Sequence, residues 1–250
     1  MKKKLNKTKK KMSVVLVGIA GSNNAFSLSL YNLKAYAYQN SQVRKCWNIS
    51  VILHPLINFG EKYNEKKLSN LLNDIISKKP DLVGFSCYMW NIECFYKLAE
   101  DLKNTLPNTK ILFGGSEIAT DYVQNLHFDK YAIDYCVSGE GELTFLELLK
   151  HLENGEPAIS NIAGLSHRPN RNVSFTVNSK RKPFKSLSEI PSPFLKGIVD
   201  EDVLARNDIE ANLETQRGCN LRCSYCVYHK DMDRVAYSEI ERIIEEVRYV

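Results

Sequence analysis

From residue 13 onward, short apolar runs alternate with stretches whose apolar residues recur every three or four positions. "SVVLVG" (13–18), "DLVGFS" (81–86), "KILFGG" (110–115) and "YCVSG" (135–139) are short, Val-, Ile- and Phe-bearing, and bounded by turn residues. That length and composition predict buried parallel strands. "VRKCWNISVIL" (43–53) supplies a further strand in the same series. Between them lie helical patterns. Phe26, Leu30, Leu33 and Ala37 share one face, as do Ile92, Phe95, Ala99 and Leu102. "EKKLSNLLNDIISKK" (65–79) predicts another helix, and Phe145, Leu148, Leu149 and Leu152 line one that Gly155 is placed to end. Strands alternating with helices predict a doubly wound parallel sheet, whose ligands bind beyond the carboxyl ends of the strands.

After residue 157 the texture changes. "IAGLSHR" and "VSFTVN" flank "PNRN" and predict a hairpin, while "KRKPFKSLSEIPSPFLKG" (180–197) has the Pro, Ser and Lys content of a linker. "IEANLE" (209–214) then begins a strand, "QRGCNLRCSYC" (216–226) is the loop beyond it, and "SEIERIIEEVRYV" (238–250) is a helix. In that helix Ser238 and Glu241 fit a capping box, and Ile240, Ile243, Ile244 and Val247 share a face. The division expected is a basic disordered tail at 1–12, a Rossmann-like domain at 13–157, a hairpin and Pro-rich linker at 158–207, and a β/α region at 208–250. One β/α unit cannot form a core by itself. A full β/α barrel needs roughly 200 residues, so the last region reads as the start of a truncated one.

Charge changes this picture little. The net +5 originates in the first eleven residues, which hold seven of the 34 basic residues; the other 27 face 29 acidic ones. The tail therefore reads as a short solvated segment, and the body of the chain argues against a nucleic-acid partner. The Lys-rich start before "SVVLVGIAG" imitates a signal peptide, but the alternating pattern requires that run as its first strand. No apolar run approaches the ~20 residues that span a bilayer. The expectation is a cytoplasmic protein with no membrane partner.

Cysteines introduce chemistry. Cys46, Cys87, Cys94 and Cys136 fall in strand-like or helical segments and read as buried thiols. Cys219, Cys223 and Cys226 lie within eight residues on the loop after the last predicted strand. Thiolates suit zinc or iron–sulfur clusters. Three readings compete: a structural zinc completed by His229, a redox or incidental thiol cluster, and a 4Fe–4S cluster held by three cysteines.

"LETQRGCNLRCSYC" (213–226) resembles the signature of the radical S-adenosylmethionine (SAM) superfamily. The resemblance implies a 4Fe–4S cluster on Cys219, Cys223 and Cys226, with the fourth iron open to the amino and carboxylate groups of SAM. One-electron reduction would then release a 5′-deoxyadenosyl radical. It also places Tyr225 against the adenine, and leaves Glu214 and Arg217 beside the motif without a role. "SLSLYNLKAYA" (27–37), "DLVGFSCYMWNIE" (81–93), "ILFGGSEIAT" (111–120), "DYCVSGEGELTFLELL" (134–149) and "LSEIPSPFL" (187–195) are similar to the cobalamin-binding-domain-containing branch of that superfamily. That likeness implies a cobalamin site formed by Ser22, Asn24, Ser86, Gly114, Gly115, Gly139, Glu140 and Gly141. The two adjacent glycines would let backbone approach a bulky ligand. Many such domains carry Asp-x-His-x-x-Gly after the first strand. Here "GSNNAFS" (21–27) puts Ser22, Asn24 and Ser27 on those positions, and His54 and His127 fall in other elements. A bound cobalamin is therefore expected to lack a histidine lower ligand.

The function implied is a cobalamin-dependent radical SAM enzyme that transfers a methyl group to an unactivated carbon of a small-molecule or peptide substrate. Its electron donor would be a flavodoxin or ferredoxin. Rival expectations are a non-catalytic corrinoid-binding or regulatory module, and a zinc-stabilised α/β interaction protein that uses His229.

Overall fold

The computed structural model describes residues 10–20, 26–55, 65–120, 123, 128–221, 223–226 and 234–250. Strands β1 (Met12–Ile19), β2 (Trp47–His54), β3 (Leu82–Ser86), β4 (Lys110–Gly114) and β5 (Tyr135–Val137) pair in parallel in the order β2-β1-β3-β4-β5. The chain leaves β1 in one direction for β2 and returns past it to β3. This is a doubly wound sheet with its switch between β1 and β3. Two-residue periodicity sorts the core. Val15 and Val17 of β1, with Phe85, Ile111 and Phe113, face α3 (Glu65–Ser77) and α4 (Ile92–Thr105). Val14 and Leu16, with Leu82, Leu112 and Val137, face α1 (Leu28–Gln39), α2 (Ser41–Cys46) and α5 (Gly141–Asn154). Each fully buried Leu or Phe of these layers stabilises the fold by about 1.5–3 kcal/mol.

The second strand starts later than its sequence pattern predicts. Val43 to Cys46 belong to α2, because the Asn40 side chain accepts hydrogen bonds from the amides of Gln42 and Val43, both at 3.1 Å. Asparagine at an N-cap favours a helical turn, and that turn buries Val43 completely.

The hairpin forms, and it lengthens the same sheet. β6 (Leu165–His167) pairs antiparallel to β5, and β7 (Thr176–Val177) antiparallel to β6. Arg168, buried at the turn out of β6, donates to the carbonyls of Ile133 and Asp129 at 2.8 Å each, and also to that of Tyr131. α5 ends at Gly155 in the left-handed region, φ 84°.

The linker packs back on α1. Phe26 stacks on Tyr31 with centroids 5.0 Å apart and lies 5.6 Å from Phe194. A four-residue helix, α6 (Glu201–Leu204), follows. The run at 209–214 is not a strand. Asn212 Nδ2 instead donates to the Phe26 carbonyl at 2.8 Å. Beyond a single bridge residue at Glu210, β8 (Gln216–Arg217) pairs antiparallel with β9 (Ala236–Tyr237). The capping box of the last helix, α7 (Ile240–Tyr249), is likewise replaced. Ser238 Oγ donates to the Glu214 carbonyl at 3.0 Å, which leaves Glu239 as an N-cap without a side-chain bond. α7 docks by its polar side, with Arg242 donating to the carbonyls of Leu187 and Ile190 at 2.8 and 2.6 Å. Its Ile240 and Val247 stay 60% and 58% exposed. Among the described residues no helix is long and apolar enough to cross a membrane.

Candidate functional site

A cavity of about 350 Å³ opens beyond the carboxyl ends of β3, β4 and β5, on the side of α1 and α5. Its floor is apolar: Leu16, Gly84 and Leu112 come from three neighbouring strands. A Cβ on Gly84 would lie 2.8 Å from Leu16 Cδ2, so glycine lets the two strands' side chains interleave there. Ser86, Gly114 and Gly115 form one wall, and Gly139, Glu140 and Gly141 form the rim where β5 passes into α5. Six of the eight residues expected around a cobalamin are thus gathered at one cavity. Ser22 and Asn24 lie outside the described residues, as do His127 and His229. His54 ends the edge strand β2, with Nδ1 2.7 Å from the Pro55 carbonyl.

The two adjacent glycines have different reasons to be glycine. A Cβ on Gly114 would meet only Val137, at 3.7 Å, so its absence simply leaves room. Gly115 has φ +107°, and a Cβ there would stand 2.6 Å from the Cys87 carbonyl oxygen. Its freedom serves the contact between the ends of β3 and β4. Nearby, Tyr88 and Trp90 stack with centroids 4.6 Å apart, and Trp90 Nε1 donates to the Ile19 carbonyl at 3.2 Å. This aromatic pair sits at the carboxyl ends of β1 and β3, the switch point of the sheet. "CYMW" held both rings in plain view, but a loop after a strand does not reveal which rings will stack.

The polar rim is a charge cluster that spacing alone did not predict. Arg217, with a side chain 10% exposed, donates to both oxygens of Glu214 at 2.9 and 2.8 Å, to Glu142 at 2.8 Å and to Glu140 at 3.4 Å. Burial by itself would push its guanidinium pKa down. Attraction to Glu142 and hydrogen bonds to Glu214 and Glu142 outweigh that and hold it above the ordinary value. Glu140 also accepts from the Phe184 amide at 2.5 Å. Its carboxyl is raised by burial, against the lowering effects of that amide and of Arg217. The acidic residues flanking Gly141 and the "ETQR" before the first motif cysteine were the available signal.

Cys219, Cys223 and Cys226 are free, half-buried thiols. The Cys226 amide donates to the Cys223 carbonyl at 3.0 Å, and Cys219 Sγ accepts from the Leu221 amide at 3.4 Å. Among the described residues no group of three such side chains is drawn together as a metal site. The donor set, three free thiols on irregular backbone, fits soft-metal ligation in kind. Tyr225 is 88% exposed on the same loop. The cavity fits part of a corrinoid, such as its nucleotide tail: it has an apolar floor, glycines in its wall and rim, and lies at the strand ends where such sheets bind ligands.

These features define a class: a Rossmann-like α/β domain with a cavity at its strand ends, walled in part by Glu214 and Arg217 of the segment that leads into a cysteine loop. Residues 59–149 match the B12 binding domain family. The cobalamin-dependent radical SAM methyltransferase TokK of Streptomyces tokunonensis is 32% identical over 177 residues, covering 68% of this chain and 25% of that protein. The 2-(S-pantetheinyl)-carbapenam-3-carboxylate methyltransferase of Streptantibioticus cattleyicolor is 30% identical over 175 residues, with 68% and 25% covered. An uncharacterized methyltransferase of Pyrococcus horikoshii is 29% identical over 205 residues, with 75% and 42% covered. The apo structure of the cobalamin-dependent S-adenosylmethionine radical enzyme OxsB superposes on 96% of this chain and 31% of its own, with a TM-score of 0.67 at 17% identity, a likeness of fold. The chain thus holds a region similar to the B12 binding domain family and is similar in sequence, over 68% of its length, to a protein named as a cobalamin-dependent radical SAM methyltransferase. It spans about a quarter of the length of the first two of these relatives.

Proposed function

We propose that this chain acts in cobalamin-dependent radical SAM chemistry, with methyl transfer to an unactivated carbon as the reaction. One observation carries the reading: Glu214 and Arg217, immediately before Cys219, wall the same cavity as Ser86, Gly114 and Gly115. The segment that leads into the cysteine loop thereby reaches the rim of the proposed corrinoid cavity. When bound, a reduced 4Fe–4S cluster supplies the electron that cleaves SAM, and methylcobalamin supplies the methyl group. The protein's own contribution is positional. Cys219, Cys223 and Cys226 would hold the cluster, and the exposed Tyr225 offers a ring to the adenine. Gly114 leaves room for the corrinoid tail, and Ser86 offers it a hydroxyl. Reduced thiols of this kind suit a cytoplasmic setting, and a flavodoxin or ferredoxin is the proposed electron donor. The substrate is proposed to be a small molecule or peptide.

The test is anaerobic purification of the chain, reconstitution with iron and sulfide, and measurement of iron, zinc, cobalamin uptake and SAM cleavage. About four irons per chain, bound cobalamin and reductive cleavage are expected, with iron lost on Cys223→Ala. Cobalamin uptake without cleavage would favour a corrinoid-binding module, and stoichiometric zinc lost on His229→Ala would overturn the cluster.

A further inference from the structure

The polar side of the cavity joins two parts of the chain that are distant in sequence. Glu140 is the N-cap of α5 and Glu142 lies in its first turn, while Glu214 and Arg217 come from the segment entering the cysteine loop. Three carboxylates converge on one guanidinium, and the side chains of Glu140 and Glu142 are only 4% and 5% exposed. Burying that many charges is costly, and apolar side chains would hold two segments together at least as well. The surplus of polar groups continues at Asn32. It is 3% exposed, its Nδ2 lies 3.5 Å from Glu214, and its Oδ1 has no partner. The backbone beyond Arg217 is confined too. Gly218 has φ +101°, and a Cβ there would strike the Arg234 carbonyl. Displacement of Arg217 is therefore passed to Cys219 along a backbone with little slack.

We infer that Arg217 is a positioning residue whose fork ties the first cysteine to Glu140 and Glu142 at the start of α5, coupling occupancy of the corrinoid cavity to assembly of the cluster loop. The inference rests on the reading of these two regions as cofactor sites. A guanidinium suits the task because its planar donors hold several carboxylates at fixed angles, which a lysine cannot do. Coupling of this kind is reciprocal: whatever the cluster does to cobalamin affinity, cobalamin does to cluster affinity.

The experiment compares the affinity of hydroxocobalamin, read by its absorbance, for cluster-reconstituted and iron-free full chain. In the wild type the two affinities are expected to differ by about fivefold or more. In Arg217→Lys the ratio is expected to collapse to about one, with each cofactor still taken up and the circular dichroism unchanged. Should that variant fail to fold, Glu142→Gln keeps Arg217 on Glu214 and is expected to shrink the ratio part-way. A wild-type ratio of one with both cofactors bound, or a ratio unmoved in Arg217→Lys and Glu142→Gln, overturns the coupling. Failure of the underlying reading looks different: the wild type then takes up no cobalamin or no iron, and the coupling falls with it.

Discussion

The amide of Cys87 donates a 2.6 Å hydrogen bond to the carbonyl of Gly114, which joins the ends of β3 and β4 at the mouth of the cavity. Gly115 permits this contact, since its φ of +107° and the nearness of the Cys87 carbonyl leave no space for a side chain. Gly115→Ala is therefore expected to cost about 2–3 kcal/mol. Gly114→Ala, whose new methyl meets Val137 only at 3.7 Å, is expected to cost under about 1 kcal/mol yet weaken cobalamin uptake by filling the cavity. Urea denaturation and an absorbance titration separate the two effects. Equal urea midpoints for wild type and Gly115→Ala would disprove the backbone lock.

The linker is held to α1 by a second polar contact. Lys34 Nζ lies 2.9 Å from Asp200 Oδ1, and Tyr31 Oη donates to Oδ2 at 3.3 Å. Burial, followed by the charge of Asp200, raises the Tyr31 phenol pKa. Asp200→Ala leaves the Lys34 ammonium, with a side chain only 10% exposed, without this partner. Because Asp200 is itself 41% exposed, the expected loss is about 1–2 kcal/mol and not the larger cost of breaking a fully buried pair. Removing the stranded charge in Lys34→Met/Asp200→Ala is expected to recover part of that loss. Urea midpoints of the single and double variants give the answer, and a double variant weaker than the sum of the singles would refute it.

Most of the sheet could be read from sequence because parallel strands buried on both faces leave unbroken apolar runs, as at Leu82–Ser86. Helical faces were as plain: Phe145, Leu148 and Leu149 all turn inward. Boundaries failed where a side chain decided them. Asn40 converts Val43 to Cys46 into helix, and Ser238 gives its hydroxyl to Glu214 where a cap was expected. At the site, glycines at strand ends and clustered thiols announce themselves by residue type. The Arg217 cluster did not, because Glu142 and Arg217 lie 75 positions apart and meet only once the sheet is wound. Likewise "IEANLE" looks like a strand until its neighbours are known, and here it is held by Asn212 and Glu214 contacts without a ladder.

Glu140 makes stability depend on pH. Burial raises its folded-state pKa above the ordinary carboxylate value, so the folded chain keeps that proton longer than the unfolded chain does. The folded state then binds more protons across the window just above the ordinary value, and stability falls as pH climbs through it. Glu140→Gln removes this titration while keeping an oxygen for the Phe184 amide. As pH rises through the range just above the ordinary carboxylate value, the urea midpoint of Glu140→Gln is expected to change in the stabilising direction relative to wild type. Parallel pH profiles for the two proteins would show that another group governs the slope.

Six of the seven cysteines divide by reactivity. Cys87 and Cys136 are fully buried, and burial raises both thiols well above the ordinary value. Cys94, 3% exposed, is pushed up to about 11 by burial. Cys219, Cys223 and Cys226 are half-buried on the loop. Thiolate fraction and access both set alkylation rates. In iron-free, reduced native protein, iodoacetamide is thus expected to label the three motif cysteines at least about tenfold faster than the three buried ones. Urea should erase the difference, and reconstitution with iron and sulfide should protect the motif thiols alone. Mass spectrometry of the cysteine peptides reads all three results. Protection that extended to Cys87 or Cys136 would mean that reconstitution tightens the whole fold, whereas labelling of the motif unaffected by iron would remove these thiols from the cluster.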